Sequence, residues 1–206
     1  MKPARLLSAA AVLVLTGCAS MPAATPQDRL WQTLSRHCGK AYAGRLVSNE
    51  APDADMRGAA MVMHVRECSA ARIAIPFHIR RADGSWDRSR TWVITRIGTL
   101  DNPGGGLRLK HDHRHEDGKP DALTMYGGDT VGTGTVAAQD FPVDRESIAL
   151  FQREGRGVSV TNVWRIEIDG ARFAYQLTRP APNARLFRVE FDFTRPVQAP
   201  PPPWGH

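Results

Sequence analysis

Short strand-like segments separated by tight turns fill most of the chain after residue 40. Within them, apolar and polar residues alternate or form short β-branched and aromatic runs, as in half-buried or buried strands. Turn residues separate the segments, and Asp169-Gly170 predicts a two-residue hairpin. The predicted strands are Tyr42–Val47, Met61–Cys68, Ala71–Phe77, Thr91–Ile97, Gly106–His115, Ala122–Tyr126, Thr133–Gln139, Ser159–Ile168, Arg172–Leu177 and Leu186–Phe193.

Many short strands with few helices favour an antiparallel barrel or sandwich. One short helix is predicted before the first strand, because Thr25 can cap it, Pro26 suits its first position and Asp28 completes a capping box. A second short helix is predicted over 144–152. We therefore predict a mostly β fold, an antiparallel barrel with one short N-terminal helix, and keep a β-sandwich as the alternative. The pattern resembles the calycin architecture of lipocalins and fatty-acid-binding proteins.

The first residues have the features of a secretory signal peptide. Lys2 and Arg5 precede an apolar run over 6–15, which is too short for a permanent membrane span. The division that we predict is a signal peptide at 1–17, a lipidated tether at 18–25, a β-barrel domain at 26–195 and a proline-rich tail at 196–206.

Leu15-Thr16-Gly17-Cys18 resembles the lipobox of bacterial lipoproteins. The resemblance implies that Cys18 is lipidated and becomes the first residue of the mature chain. No aspartate follows this cysteine, which in that family favours the outer membrane. We therefore expect a cell-envelope protein held by lipid at the periplasmic face of the outer membrane; a plain signal peptide with a chance cysteine is the alternative.

The chain has three cysteines. If Cys18 carries lipid, Cys38 and Cys68 remain in an oxidising compartment, and a disulfide between them is the natural pairing. Two buried free thiols are the alternative.

The formal charge of +6 falls to +4 when Lys2 and Arg5 leave with the signal peptide. Arginines are dispersed among acidic residues and form no basic block or aromatic-basic stripe. Nucleic-acid binding favours a clustered basic patch, so we expect no nucleic-acid partner.

The segment from Gly106 to Gly118 concentrates the chemistry of the chain. Its apolar parity holds two leucines and then His111, His113 and His115, whereas the other parity is fully charged. Period two predicts a strand with one solvated face, so the histidines are expected to continue the inward face. Tyr126, beyond the next turn, is expected within reach of them.

A His-X-His pair on one strand face can converge on a metal, and zinc accepts neutral imidazole nitrogens. His115 lies too far along a straight strand from His111 to share one site, and the sequence supplies no convincing third ligand. The candidates for binding a metal such as zinc, or another ligand, are therefore His111, His113, His115 and Tyr126. The alternative is a polar lining that hydrogen-bonds tyrosine, threonine or backbone groups.

The motifs His111-Asp112-His113-Arg114-His115, 124–128 (Thr-Met-Tyr-Gly-Gly) and 203–206 (Pro-Trp-Gly-His) are similar to those of a group of uncharacterised bacterial secreted proteins. The resemblance implies shared architecture and no particular activity. The sequence contains no P-loop, nucleophile elbow, His-Glu-X-X-His or Cys-X-X-Cys motif.

Three functional hypotheses follow. The first is a non-enzymatic, lipid-anchored binding module for a metal ion or a small, partly apolar molecule. The second is a metal-assisted hydrolase that uses the histidine strand. The third is a structural envelope protein. A large apolar cavity would favour the binder, and a filled interior with hydrogen-bonded imidazoles would favour the structural protein.

Overall fold

The computed structural model describes residues 23–98 and 105–206, so the predicted signal peptide and Cys18 lie outside the described residues. Among the described residues, no helix combines the length and apolar character that a transmembrane segment requires. The elements in chain order are α1 Pro26–Arg36, β1 Ala41–Leu46, β2 Met61–His64, β3 Glu67–Cys68, β4 Arg72–Arg80, β5 Trp86–Ile97, β6 Gly106–His113, β7 Tyr126–Asp129, β8 Ala138–Pro142, α2 Arg145–Arg153, β9 Val163–Ile168, β10 Arg172–Arg179 and β11 Arg185–Val197, with 3₁₀ turns at Ala51–Met56 and Gly157–Ser159.

Ten strands of the described chain form one antiparallel path that nearly closes on itself. Their order is β7-β6-β5-β4-β2-β1-β11-β10-β9-β8, and β3 pairs only with β4. The predicted barrel with a short N-terminal helix is therefore confirmed, and the sandwich alternative is not formed. The predicted hairpin at Asp169-Gly170 joins β9 to β10, with Gly170 at a φ of 89°.

The two end strands of the path, β7 and β8, meet at a seam made by close backbone contact. The amide of Asp144 donates to the carbonyl of Gly127 at 3.0 Å, and Gly128 forms a single bridge with Val143. A Cβ at Gly128 would overlap the carbonyl oxygen of Pro142. The seam therefore lies at Gly127 and Gly128, where only glycine fits.

Helix α1 closes one end of the barrel. The predicted capping box is present, with Thr25 and Asp28 bonded reciprocally. Leu30 and Leu34 are fully buried in the core. The Arg96 guanidinium, near the end of β5, binds the Asp28 carboxylate at 2.6 Å. The helix therefore packs against the strand ends opposite those that carry His113 and Arg185.

The predicted disulfide between Cys38 and Cys68 is present, with a Cα–Cα distance of 6.2 Å. It joins the segment after α1 to β3. In the loop-entropy account, a bridge that closes a loop of this length stabilises a fold by about 3–4 kcal/mol, so it adds to the apolar contacts that hold α1 in place.

Aromatic side chains fill the middle of the barrel. The Trp92 ring stacks on Phe77 at 4.9 Å and on Tyr175 at 4.4 Å between centroids. Leu107 and Leu109 are fully buried beside them. The interior behind the two leucines is therefore packed core, and not the large apolar cavity that the binding hypothesis had considered.

The charged face of β6 is covered at Lys110 and Asp112, so the prediction that the whole face is solvated was wrong. Lys110 and Asp112 are each 7% exposed. The Lys110 ammonium binds the carboxylate of Asp144, the N-cap of α2, at 2.7 Å. Helix α2 spans Arg145–Arg153 with Asp144 as its N-cap, which confirms the helix predicted over 144–152. Contacts distant in sequence bury these charges, which period two alone cannot show.

The proline-rich tail folds back over the outside of the barrel. The Trp204 side chain is 9% exposed, and its amide donates to the carbonyl of Arg88 at 3.1 Å. The His206 Nε2 lies 3.1 Å from Asp112 Oδ2. The tail thus covers Asp112 and neighbouring Thr91 on the outer face of β5 and β6.

Replacing Gly128 with alanine should destabilise the fold by about 1–3 kcal/mol, because the added methyl group overpacks the seam. Urea unfolding of the purified protein measures the loss. Gly157→Ala is the matched control, since a Cβ at Gly157 meets no atom within 4 Å, and it should stay within roughly 0.5 kcal/mol of the unsubstituted protein. Equal stability of both variants would contradict the seam described above.

Candidate functional site

The end of the barrel opposite α1 is open. It is formed where β6 and β10 end and where β5, β9 and β11 begin, with the Ala51–Met56 turn and the segment after α2 beside it. Two adjoining clefts lie here, with cavity volumes of about 170 and 240 Å³. Both are lined by four of the same side chains: His113, Tyr126, Tyr175 and Leu177. The candidate site is therefore one divided cleft at the barrel mouth.

His111 lies at the floor of the open end and is 3% exposed. Its Nδ1 is 3.0 Å from the carbonyl oxygen of Tyr126 and its Nε2 is 2.7 Å from the Tyr175 hydroxyl. Because a carbonyl only accepts, Nδ1–H is the donor, and the Tyr175 hydroxyl donates to Nε2. Both ring nitrogens are thereby occupied.

Burial keeps the His111 ring neutral. Loss of hydration, with a smaller effect of neighbouring His113, lowers the pKa of His111 to about 3. The Tyr126 ring stacks on the His111 ring at 4.7 Å. His111 is thus a hydrogen-bonded core residue, which is the polar-lining alternative raised from the sequence.

His113 lies one layer nearer the mouth and lines both clefts. Its Nε2 is 3.3 Å from the Tyr126 hydroxyl, and its backbone amide donates to Thr124 Oγ1 at 2.8 Å. Burial, and next the Arg90 charge across the β5–β6 ladder, lower the pKa of His113 to about 4. Burial raises the pKa of the Tyr126 hydroxyl to about 12. Both groups are neutral near pH 7, and together they offer hydrogen bonds to a ligand.

His115 is not part of this cleft. The strand β6 ends at His113, so the predicted inward face does not reach His115, whose side chain is 61% exposed. Its Nε2 lies 3.8 Å from Asp121 Oδ2. The structure therefore brings together His111, His113 and Tyr126 and leaves His115 in solvent beyond them.

Within 23–98 and 105–206, no three histidine, cysteine, aspartate or glutamate side chains are grouped as metal ligands would be. His111 has both nitrogens engaged, so it has no free lone pair for zinc. Zinc binding stays a prediction, and the geometry of the histidine pair does not favour it.

The arginines that line the open end were not among the residues predicted from the sequence. Arg90, Arg179 and Arg185 line the clefts together with Arg156. Arg90 pairs with His113 across the ladder and Arg179 pairs with Arg185. The signal was present, because Arg90 shares its parity with Trp92 and Arg179 shares its parity with Tyr175.

Comparisons of the chain with protein-family models, with curated proteins and with solved structures gave no significant match. The resemblances drawn from its motifs therefore stay predictions, and the function has to be inferred from the site itself.

The free energy of unfolding should fall as the pH is lowered from about 6.5 towards 4. His78, His111 and His113 are buried with pKa values lowered to about 4, 3 and 4. The folded state keeps these rings neutral, whereas the unfolded chain binds protons below about pH 6.5. Each such histidine contributes a slope of up to about 1.4 kcal/mol per pH unit in this window.

Urea unfolding at pH values from 7 to about 5 measures this slope, above the range in which most carboxylates titrate. The His111→Gln variant should lose one histidine's share of the slope. His115→Gln, at an exposed side chain, is the control and should keep the slope of the unsubstituted protein. An unchanged slope in the His111 variant would contradict a neutral, buried His111.

Proposed function

We propose that this protein is a non-enzymatic binding module, anchored by lipid on Cys18 at the periplasmic face of the outer membrane. Its ligand is a small, partly apolar molecule that occupies the cleft at the open end of the barrel. The packed interior and the hydrogen-bonded His111 are what the structural hypothesis expects. The observation that favours a binding module instead is the asymmetry of the barrel, in which α1 closes one end while the other keeps a lined cleft.

The composition of the cleft supports a small molecule that is partly apolar. Its floor and walls are the rings of Tyr126, Trp164 and Tyr175 with Leu177. Aromatic and aliphatic walls with a few polar groups are typical of sites for small ligands. The volumes of about 170 and 240 Å³ suit a body the size of one or two rings.

The state of the histidines supports binding over catalysis. His111 is held between Tyr175 and the Tyr126 carbonyl, and His113 contacts the Tyr126 hydroxyl. The lowered pKa of His113, about 4, leaves it a weak base near pH 7. These groups can orient a ligand by hydrogen bonds without a change of protonation.

The anchoring part of the proposal predicts that Cys18→Ser releases the protein from membranes. Two or more acyl chains hold a protein stably on a bilayer, so the unsubstituted chain should sediment with membranes and incorporate labelled palmitate. The variant should incorporate none and remain in the soluble fraction. Palmitate labelling of the Cys18→Ser variant would contradict the anchor, and Cys38→Ser serves as the control that keeps its label.

The binding part predicts saturable binding of N-phenylnaphthylamine, a neutral fluorescent probe that joins a phenyl ring to a naphthalene. Titration of the unlipidated Cys18→Ser protein should give a fluorescence increase with one site per chain. Leu177→Trp, which fills the cleft, should weaken the affinity by about tenfold or more, equivalent to roughly 1.4 kcal/mol.

Leu186→Trp is the matched control, because Leu186 is 41% exposed on the neighbouring strand β11 and does not line the cleft. If Leu177→Trp unfolds, Leu123→Trp tests the same cleft from a loop. Equal affinity in the filled and control variants would contradict binding at the open end.

A further inference from the structure

The arginines at the open end differ in how their charges are neutralised. Arg90 forms an ion pair with Asp87 at 2.5 Å. Arg185 forms ion pairs with Glu50 and with the buried Asp53. These two arginines line the smaller cleft, and their carboxylate partners already balance them.

Arg156 and Arg179 line the larger cleft of about 240 Å³ and lack such partners. Within the described part of the chain, neither forms an ion pair. Arg179 Nε donates to the side-chain oxygen of Asn162 at 2.9 Å. Glu50 raises the pKa of Arg179 by its charge alone and forms no ion pair with it. The two carboxylate oxygens of Glu50 bind Arg185 and the Leu186 amide.

The position of Arg179 is electrostatically unfavourable in the protein alone. It lies directly opposite Arg185 in the β10–β11 ladder, and like charges facing each other across a ladder are destabilising. Burial, and next the charge of Arg185, lower the pKa of Arg179 below its ordinary value. An anion in the larger cleft would pair with Arg179 directly, which Glu50 and Asp53, both bound to Arg185, do not.

The remaining wall of the larger cleft is apolar or neutral. Phe151, Trp164, Tyr175 and Leu177 are among its apolar and aromatic members. Among the described residues that line this cleft, none is acidic. A cation without a carboxylate partner therefore stands beside aromatic surface, which is the arrangement that an amphipathic anion would need.

We infer that the ligand of the open end is a small amphipathic anion, an oxyanion carried on an apolar body of one or two rings or a short chain. Arg179 and Arg156 bind the oxyanion, since a guanidinium matches the geometry of carboxylate and phosphate groups. The aromatic wall binds the apolar body. This inference rests on the proposed binding function and adds the charge of the ligand.

The test compares two probes that share one aromatic body. Anilinonaphthalene sulfonate carries a sulfonate oxyanion and N-phenylnaphthylamine lacks it. The unlipidated Cys18→Ser protein should bind the sulfonate probe about tenfold more tightly, equivalent to roughly 1.4 kcal/mol. Arg179→Gln should abolish this preference, because the sulfonate loses a guanidinium partner, and urea unfolding checks that the variant is folded.

Arg153→Gln is the control for net charge. Arg153 ends α2, its side chain is 66% exposed, and it forms an ion pair with Glu154 outside the cleft. This variant should keep the preference for the sulfonate probe. If Arg179→Gln fails to fold, Arg156→Gln in the segment after α2 tests the same contact and should reduce the preference several-fold.

The outcomes separate the two proposals. Equal binding of both probes by the unsubstituted protein, or a preference that survives in both cleft-arginine variants, would overturn the anionic ligand and leave the binding function intact. Failure of both probes to bind would overturn both proposals. Displacement of the sulfonate probe by naphthoate but not by lysophosphatidate would identify a soluble organic acid, and the reverse would identify a lipid headgroup, as the source of the oxyanion.

Discussion

The aromatic stack around Trp92 is the interaction on which the remaining architecture depends. With Phe77 and Tyr175 it fills the barrel across its width, so the interior is divided into a closed half under α1 and an open half beneath the mouth. Close packing of rings gains dispersion energy and excludes water. This layer sets the depth of the cleft, because Phe77, Trp92 and Tyr175 all line the smaller cleft.

The hydrogen bonds of His111 fix the orientation of the residues that a ligand would contact. His111 binds Tyr175 on one side and the backbone of Tyr126 on the other, and a buried polar group with all its partners satisfied has one favoured arrangement. The neutral ring stays in place near pH 7, because the pKa of His111 is lowered to about 3. His111, a candidate ligand in the sequence, therefore holds Tyr126 and Tyr175 in position.

Period two and capping chemistry predicted the barrel, the start of α1 and the inward direction of His111 and His113 from the sequence alone. They could not predict which outer faces are covered, because Lys110 and Asp112 are buried by α2 and by the tail, far away along the chain. The residue at which β6 ends also depends on tertiary contacts, and this end leaves His115 in solvent. The inward-facing arginines follow the same alternation as the core residues, but their charge predicts a position on the surface.

The position of α1 has a consequence for how the protein would stand on a membrane. This helix starts at Pro26 and caps the closed end of the barrel, and a short segment separates it from Cys18. In the lipid-anchored protein that we propose, the closed end therefore faces the bilayer and the open end points away from it. A molecule that enters the cleft would come from the aqueous periplasm, or would have to leave the lipid leaflet first.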